Sequence, residues 1–251
     1  MPARRNAPSS PAPIALPPLP DLVLEPIVKL ALAEDLGVAG DVTTDALIDP
    51  ETQGRWIIAA RESGIVAGLD AASFAAWLID TDIVFSVAAP DGARVRAGGV
   101  IAEIEGSARS VLIAERTMLN FVGRLSGVAT LTRAYVDAVA GMDVIIASTR
   151  KTTPGLRALE KRAVRLGGGG SHRYGLGDAM LIKDNHIAAA GGVGAAMTRA
   201  RAAAGHLMCI EIEVDSLAQL REALPHAPSA VLLDNFSLPD LRAAVKLAKG
   251  Q

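Results

Sequence analysis

GGGGSHRYGLGDAMLIKDNHI, residues 167–187, holds four glycines, a His-Arg pair, a short apolar run and a Lys followed by Asp-Asn-His. An apolar run that stops at charged residues reads as a buried parallel strand leaving its sheet. The same rhythm recurs on either side. DVIIAST (143–149), AMLIK (179–183), MCIEIEV (208–214) and AVLLDN (230–235) are short apolar runs, each followed by a helical pattern. Strands alternating with helices predict a βαβ series, doubly wound or closed toward a barrel. Thr153 with Pro154 suits a helix start and Gly167 a helix end, with Leu156, Leu159, Ala163 and Leu166 as the apolar stripe between. Ser237 ahead of Pro239 and Asp240 predicts a capped helix start.

The first half follows another pattern. Leu24, Ile27, Val28 and Leu32 recur at helical spacing over 21–36. GDVTTDALIDP (40–50) reads as a loop. RWIIAA, GIVAG, DIVFSVAAPDGARV and GGVIAEIEG alternate with Gly and Pro-Asp-Gly turns, interrupted by one helix near 70–80. That is an α+β unit. A long helical pattern runs from about 111 to 140, with a break expected near Gly127. The domain reading is a disordered Pro-rich tail over 1–20, an α+β domain over 21–128 and an α/β domain over 129–251.

Composition excludes several classes. The 251 residues are 50% hydrophobic but 3% aromatic, so Ala, Val, Leu and Ile must build the core. With 25 Lys+Arg against 27 Asp+Glu, no global charge favours nucleic acid or acidic membranes. Cys209 is the single cysteine, which precludes an intrachain disulfide and fits a reducing cytoplasm. No apolar run reaches the roughly 18 residues of a membrane span. MPARRNAPSSPAPIALPPLP lacks the apolar stretch of a signal peptide.

Ligands of α/β folds bind where strands end. Arg150 and Lys151 fall on the first exit loop, Lys183 at the second, Glu211 and Glu213 share a face of the third strand, and Asp234 and Asn235 close the fourth. From Arg150 to His186 there are eight Lys or Arg against three Asp or Glu. Arg157, Lys161, Arg162 and Arg165 read as a solvated helix face. Lys183 follows a buried run and calls for an anionic partner. The glycines permit positive φ and close ligand approach, or else serve as a helix end and linker. No Gly-Lys-Ser/Thr follows, so this is no P-loop, and a run that follows a helix fits a dinucleotide fingerprint poorly. His172 and His186 lie on opposite sides of a strand without a third ligand, a poor zinc site.

STRKTTPGLRALEKRAVRLGGGGSHRYGLGDAMLIKDNHI (148–187) resembles the core of the quinolinate phosphoribosyltransferases. GDVTTDALI, AERTMLNFVGRLSGVAT, EIEVDSL and VLLDNF are similar to family segments in the same order, so the resemblance runs from about residue 21 onward. It implies an N-terminal α/β sandwich and an incomplete α/β barrel with parallel strands. It implies a homodimer with shared active sites, or a higher oligomer built from it. It also implies further strands past residue 251, whose Gly/Ser-rich loops hold the donor's 5′-phosphate. The implied reaction joins quinolinate to phosphoribosyl pyrophosphate with Mg²⁺ carried mainly on the diphosphate, giving nicotinate mononucleotide, pyrophosphate and CO₂ in NAD biosynthesis.

Carried over position by position, Arg116 of the partner subunit, Thr149, Arg150, His172 and Arg173 hold quinolinate. Lys151 and Lys183 face the diphosphate. Glu213 and Asp234 hold the ribose. Two departures stand out: Ser148 where Asp is usual before Thr-Arg-Lys, and Ser171 where Asn usually precedes His. Two other readings share the fold: a phosphoribosyltransferase-like protein associated with molybdate transport, against which LIKDNH argues, and a non-catalytic binding or dimerisation module.

Overall fold

In the computed structural model, residues 16–249 are described, and they divide into two compact units, one ending at His172 and one starting at Arg173. The expected disorder of 1–15 lies outside the described residues. Residues 16–20 depart from that expectation, because Leu16 and Leu19 pack on the core and Arg162 donates to the carbonyls of Leu16 and Pro17.

The first unit is helices against a small antiparallel sheet. α1 (Asp21–Leu36) buries Leu24, Val28 and Leu32, the expected stripe. The expected loop at 40–50 contains a short helix, α2 (Val42–Leu47), because Asp41 accepts hydrogen bonds from the backbone N–H of Thr43 and Thr44 and caps it. The sheet orders β1 (Gln53–Ala59), β5 (Val100–Ser107) and β3 (Val84–Val87) with β5 central, and β2 (Gly64–Ile65) pairs with β4 (Arg94–Val95). Ile58, Ile101 and Ile104 join one core with α3 (Leu69–Ile79) and α4 (Ala108–Ala138).

Alanines at 71, 72, 75 and 76 let α3 lie close to its neighbours. α4 is unbroken over 31 residues, contrary to the expected break. Gly123 and Gly127 each weaken a helix by about 1 kcal/mol relative to Ala. Burial of Met118, Phe121, Val122, Leu125 and Ala129 along the same helix outweighs that.

β6 (Ala147–Ser148) and β7 (Gly170–Ser171) form a two-residue parallel ladder, with α5 (Arg157–Leu166) between them in sequence. The short strand expected over 143–149 is reduced to β6, and Met142, Val144 and Ile145 ahead of it are exposed. Thr153 does not cap α5, which starts after Leu156. The glycine run serves packing. A Cβ on Gly167 would stand 2.4 Å from the Ala129 carbonyl oxygen on α4, and Gly168 has φ +93°. These glycines let the chain pass against α4, so the close approach they allow is to protein backbone rather than to a ligand.

The cationic face expected on α5 is not solvated throughout. Leu159, Arg162, Ala163 and Leu166 share one side of the helix, and Arg162 goes into the core with them. Its guanidinium lies 3.2 Å from Asp70 and 3.5 Å from Asp91, both side chains nearly as withdrawn as its own 11% exposure. Burial, and then the like charge of Asp70, hold the Asp91 carboxyl above its ordinary value despite Arg162 and a hydrogen bond from Leu69.

The second unit is a parallel sheet in the order β10 (Ala230–Leu233), β9 (Ile210–Val214), β8 (Met180–Ile182). α6 (Asp184–Ala190), α7 (Val193–Ala203), α8 (Leu217–Ala223) and α9 (Leu238–Ala248) alternate with these strands along the chain. Ile210, Ile212 and Val214 point into the core, which leaves Glu211 and Glu213 on the other face, as the alternation predicts. Ser237 caps α9 through the backbone N–H of Asp240, also as predicted.

Removing one member of a buried ion cluster strands the others. Arg162→Met should lower the unfolding free energy by about 3 kcal/mol in urea titration. Lys29→Met, which breaks an exposed i,i+4 pair, should change it by no more than about 0.5 kcal/mol.

Candidate active site

In the first unit, the loop that leaves β6 carries Thr149, Arg150 and Lys151. Thr149 Oγ1 accepts from the Lys151 backbone N–H at 3.0 Å, which turns the chain at its start. The Lys151 side chain is exposed. Arg150 is half-buried, and its Nε is shielded from solvent with no hydrogen-bond partner among the described residues. A buried donor left unpaired is costly, by about 1–3 kcal/mol, unless a ligand supplies the acceptor. His172 follows β7 directly and is half-buried. Arg116 stands exposed on α4, lining a groove of about 790 Å³ formed with residues 58–66.

Two residues on α5 govern this loop: Glu160, which the sequence reading leaves out, and Lys161, which it assigns to a solvated helix face and which is instead buried. Glu160 and Lys161 are only 7% and 5% exposed. Glu160 accepts from the Thr153 backbone N–H (3.0 Å), from Thr153 Oγ1 (2.7 Å) and from Arg124 (2.8 Å). Burial pushes its carboxyl up, but these hydrogen bonds, led by the Thr153 hydroxyl, outweigh it and hold the group below its ordinary value. Lys161 Nζ donates to Ser148 Oγ (3.0 Å) and to the His172 carbonyl (3.2 Å).

In the second unit, Lys183 follows β8 and begins α6. Its backbone N–H donates to His186 Nδ1 at 2.9 Å, which leaves the imidazole proton on Nε2. The expectation of a nearly buried Lys183 does not hold: its side chain is 45% exposed, because the strand ends one residue earlier. The anionic partner is nonetheless present, Glu213 Oε2 at 2.8 Å. Asp234, half-buried at the end of β10, accepts from Asn235 Nδ2 at 2.7 Å. Glu211 is half-buried beside Glu213 on the same strand face. Arg173 donates through Nη1 to the Ala179 carbonyl at 3.1 Å, and its Nε, like that of Arg150, is buried without a partner among the described residues. It lines a cavity of about 350 Å³ with Met180, Ile182, His186 and Arg199.

Basic side chains at strand exits, two of them with unsatisfied donors, and carboxylates on neighbouring parallel strands define a class: an α/β enzyme fold that handles anionic substrates. Residues 41–126 match the family described as Quinolinate phosphoribosyl transferase, N-terminal domain, and residues 128–251 match its C-terminal domain. A nicotinate-nucleotide pyrophosphorylase (carboxylating) of Mycobacterium leprae is 47% identical over 226 residues, covering 87% of this chain and 78% of that protein. NadC of Streptococcus pyogenes, a crystal structure, aligns with TM-score 0.89 at 40% identity over 94% of this chain and 83% of its own. The nicotinate-nucleotide pyrophosphorylase of Francisella tularensis aligns with TM-score 0.88 at 39% identity over 93% and 82%. The chain belongs to the quinolinate phosphoribosyltransferase family. Its fold class is that of these proteins, an α/β sandwich followed by an incomplete α/β barrel.

The turn after Arg173 depends on charge. Asp178 accepts from the backbone N–H of Tyr174 (2.5 Å) and Gly175 (2.8 Å), and these bonds, the first above all, hold its carboxyl below the ordinary aspartate value. A depressed carboxyl contributes stability above its unfolded pKa and loses it as pH falls through the folded one. The Asp178 carboxyl resonance should therefore titrate below the usual aspartate midpoint, and the Tyr174 amide should lose its downfield shift over that same acid range.

Proposed function

We propose that this chain transfers phosphoribosyl from phosphoribosyl pyrophosphate to quinolinate with decarboxylation, yielding nicotinate mononucleotide, pyrophosphate and CO₂ in NAD biosynthesis. The observation that carries this reading is the match of both halves of the chain to the quinolinate phosphoribosyltransferase family, with Arg150 and Arg173 half-buried next to strand exits as the guanidinium groups offered to the substrate. Quinolinate is a planar ring with two carboxylates, and a guanidinium fork pairs with a carboxylate in two parallel hydrogen bonds. Each charge-assisted bond contributes about 1.5–3 kcal/mol. His172 adds a donor, Thr149 shapes the loop, and Arg116 of the partner subunit completes the carboxylate shell in a homodimer.

Lys151 and Lys183 balance the charge of the departing pyrophosphate. As the bond from ribose C1′ to the pyrophosphate oxygen breaks, the sugar gains oxocarbenium character. Carboxylates fixed near its hydroxyls stabilise that charge without reorganising. Glu213 and Asp234 take this role. Glu213 is already oriented by Lys183, so the pair can hold a hydroxyl and a phosphate oxygen side by side. The pyridine nitrogen attacks C1′ as the pyrophosphate leaves, the resulting pyridinium stabilises the carbanion left at the adjacent carbon when CO₂ departs, and a proton taken up from water at that carbon completes nicotinate mononucleotide. No dedicated base is required.

Mg²⁺ fits on the donor's diphosphate. Among the described residues no group of three or more His, Cys, Asp or Glu is arranged to hold a metal, and this ion keeps several waters and takes few protein ligands. Bound there it would supply charge neutralisation on the leaving oxygens, and Glu213 and Asp234 are the carboxylates that would be available to it. A cytoplasmic setting agrees with the single cysteine and with the absence, among the described residues, of any helix long and apolar enough to cross a membrane.

Titration calorimetry with quinolinate and a pyrophosphate-release assay test the reading together. Binding with release supports it, and binding without release supports a non-catalytic module. Arg150→Ala and Arg173→Ala should each weaken quinolinate binding at least tenfold with unchanged circular dichroism. Unchanged affinity in either contradicts the assigned role.

Shared sites make a separate prediction. Neither Arg116→Ala nor Lys151→Ala chains should turn over alone. Mixed dimers should recover up to about a quarter of wild-type activity, since half of the dimers are mixed and each has one site with both residues intact. No recovery, with subunit exchange demonstrated, would exclude the shared site.

A further inference from the structure

The loop that presents Arg150 and Lys151 has little to hold it. β6 and β7 pair over two residues, Ala147 with Gly170 and Ser148 with Ser171. α5 begins only at Arg157, leaving an irregular segment from 149 to 156. The bonds within that segment are local, from Lys151 N to Thr149 Oγ1 and from Thr152 N to the Arg150 carbonyl, and from the start of α5 the Arg157 Nε donates to Thr152 Oγ1 at 3.3 Å. Yet α5 places two adjacent, opposite and buried charges against its ends. Lys161 Nζ reaches Ser148, the residue before the loop, and also the carbonyl of His172 at the other strand exit. Glu160 takes both the N–H and the hydroxyl of Thr153, five residues after Ser148, and is itself braced by Arg124 of α4.

We infer that Glu160 and Lys161 are positioning residues that clamp residues 149–153 at both ends, fixing Arg150 and Lys151 for substrate. The inference rests on the transferase reading for what the loop binds, though not for the clamp itself. Buried charges on a helix that carries no exposed function would be replaced by apolar groups at little or no loss of stability. Their value here is directional: each defines where one end of the loop must lie. A cation displaced by about 1 Å from its carboxylate partner loses much of its effect on binding and rate.

The test reads the loop directly as well as through substrate. Trypsin cuts after Arg150 and Lys151, so limited proteolysis reports whether the loop is held. Glu160→Gln and Lys161→Met should raise cleavage there about tenfold, with hydrogen exchange in β9 unchanged. Should Lys161→Met fail to fold, Ser148→Ala removes one acceptor at the same end, and Ser148→Thr, which keeps the hydroxyl, should behave as wild type. KM for quinolinate should rise about tenfold in the loosened variants. A purely structural role would instead lower kcat through a smaller active fraction and leave KM unchanged.

Wild-type cleavage rates in Glu160→Gln and in the Lys161 or Ser148 variant would overturn the clamp. Increased cleavage with unchanged KM for quinolinate would overturn its positioning role. Absence of quinolinate binding by the wild-type chain would defeat the transferase reading and the substrate half of this inference, while the cleavage pattern would still decide the clamp.

Discussion

The first unit depends on how closely α5 and the turn after it approach α4. Gly167 passes so near Ala129 and Thr132 that a Cβ would overlap them. Leu159, Ala163 and Leu166 then reach the same core as Phe121, Leu125 and Ala129. That contact brings Arg162 to Asp70 and Asp91, Glu160 to Arg124 and Thr153, and Lys161 to Ser148 and His172. If the helices were separated by the width of a methyl group, the apolar contacts would thin and these polar groups would be buried without partners. Apolar packing and polar geometry therefore stand or fall together here.

The charged residues fall into two populations with different physical weight. Arg55 with Glu105 and Lys29 with Glu25 are close pairs in solvent, and such pairs contribute between nothing and about 1 kcal/mol. Glu160 and Arg162 are withdrawn from water and answered by two or more partners each. For these groups the relevant quantity is the penalty of leaving one unanswered. Counting cations along 150–186 misses the distinction, since Arg165 and Arg162 count equally while one is exposed and the other lies in the core.

Much of the architecture is legible from periodicity. The stripe of α1, the α3 helix, the strand set of the first unit and the alternation of Ile with Glu in β9 all follow from spacing and appear in the fold. The elements that escape such reading are those set by a tertiary neighbour. α2 exists because Asp41 caps six residues, too few to show a period. α4 survives Gly127 because its buried face is long. Of the site, the residue types at strand exits are legible, but the pairing of Lys183 with Glu213 is not, because it depends on which strands lie side by side. Glu160 and Lys161 are not, because adjacent opposite charges on a helix look solvated unless the surface covering them is known. Arg162 did leave a signal: it sits at i+3 from Leu159 and i−4 from Leu166, inside the apolar stripe.

The glycine run shows how one motif can answer to two demands. Close backbone approach is its common physical content, and a motif reading assigns that approach to a ligand. In the fold Gly167 and Gly169 are closed in by Ala129, Thr132, Val164 and Ile146, so the space a side chain would need is already taken by protein. The ligand-facing work passes to residues on either side, Arg150 before and His172 and Arg173 after, whose own backbone is ordinary. Small residues thus fix the path of the chain, buried charges fix the ends of the loop, and the cations that meet substrate are carried between those fixed points. Shielded, unpartnered Nε groups occur on Arg133 and Arg162 as well as on Arg150 and Arg173, so it is position at a strand exit, and not an open donor alone, that separates the arginines offered to a ligand from those that serve the fold.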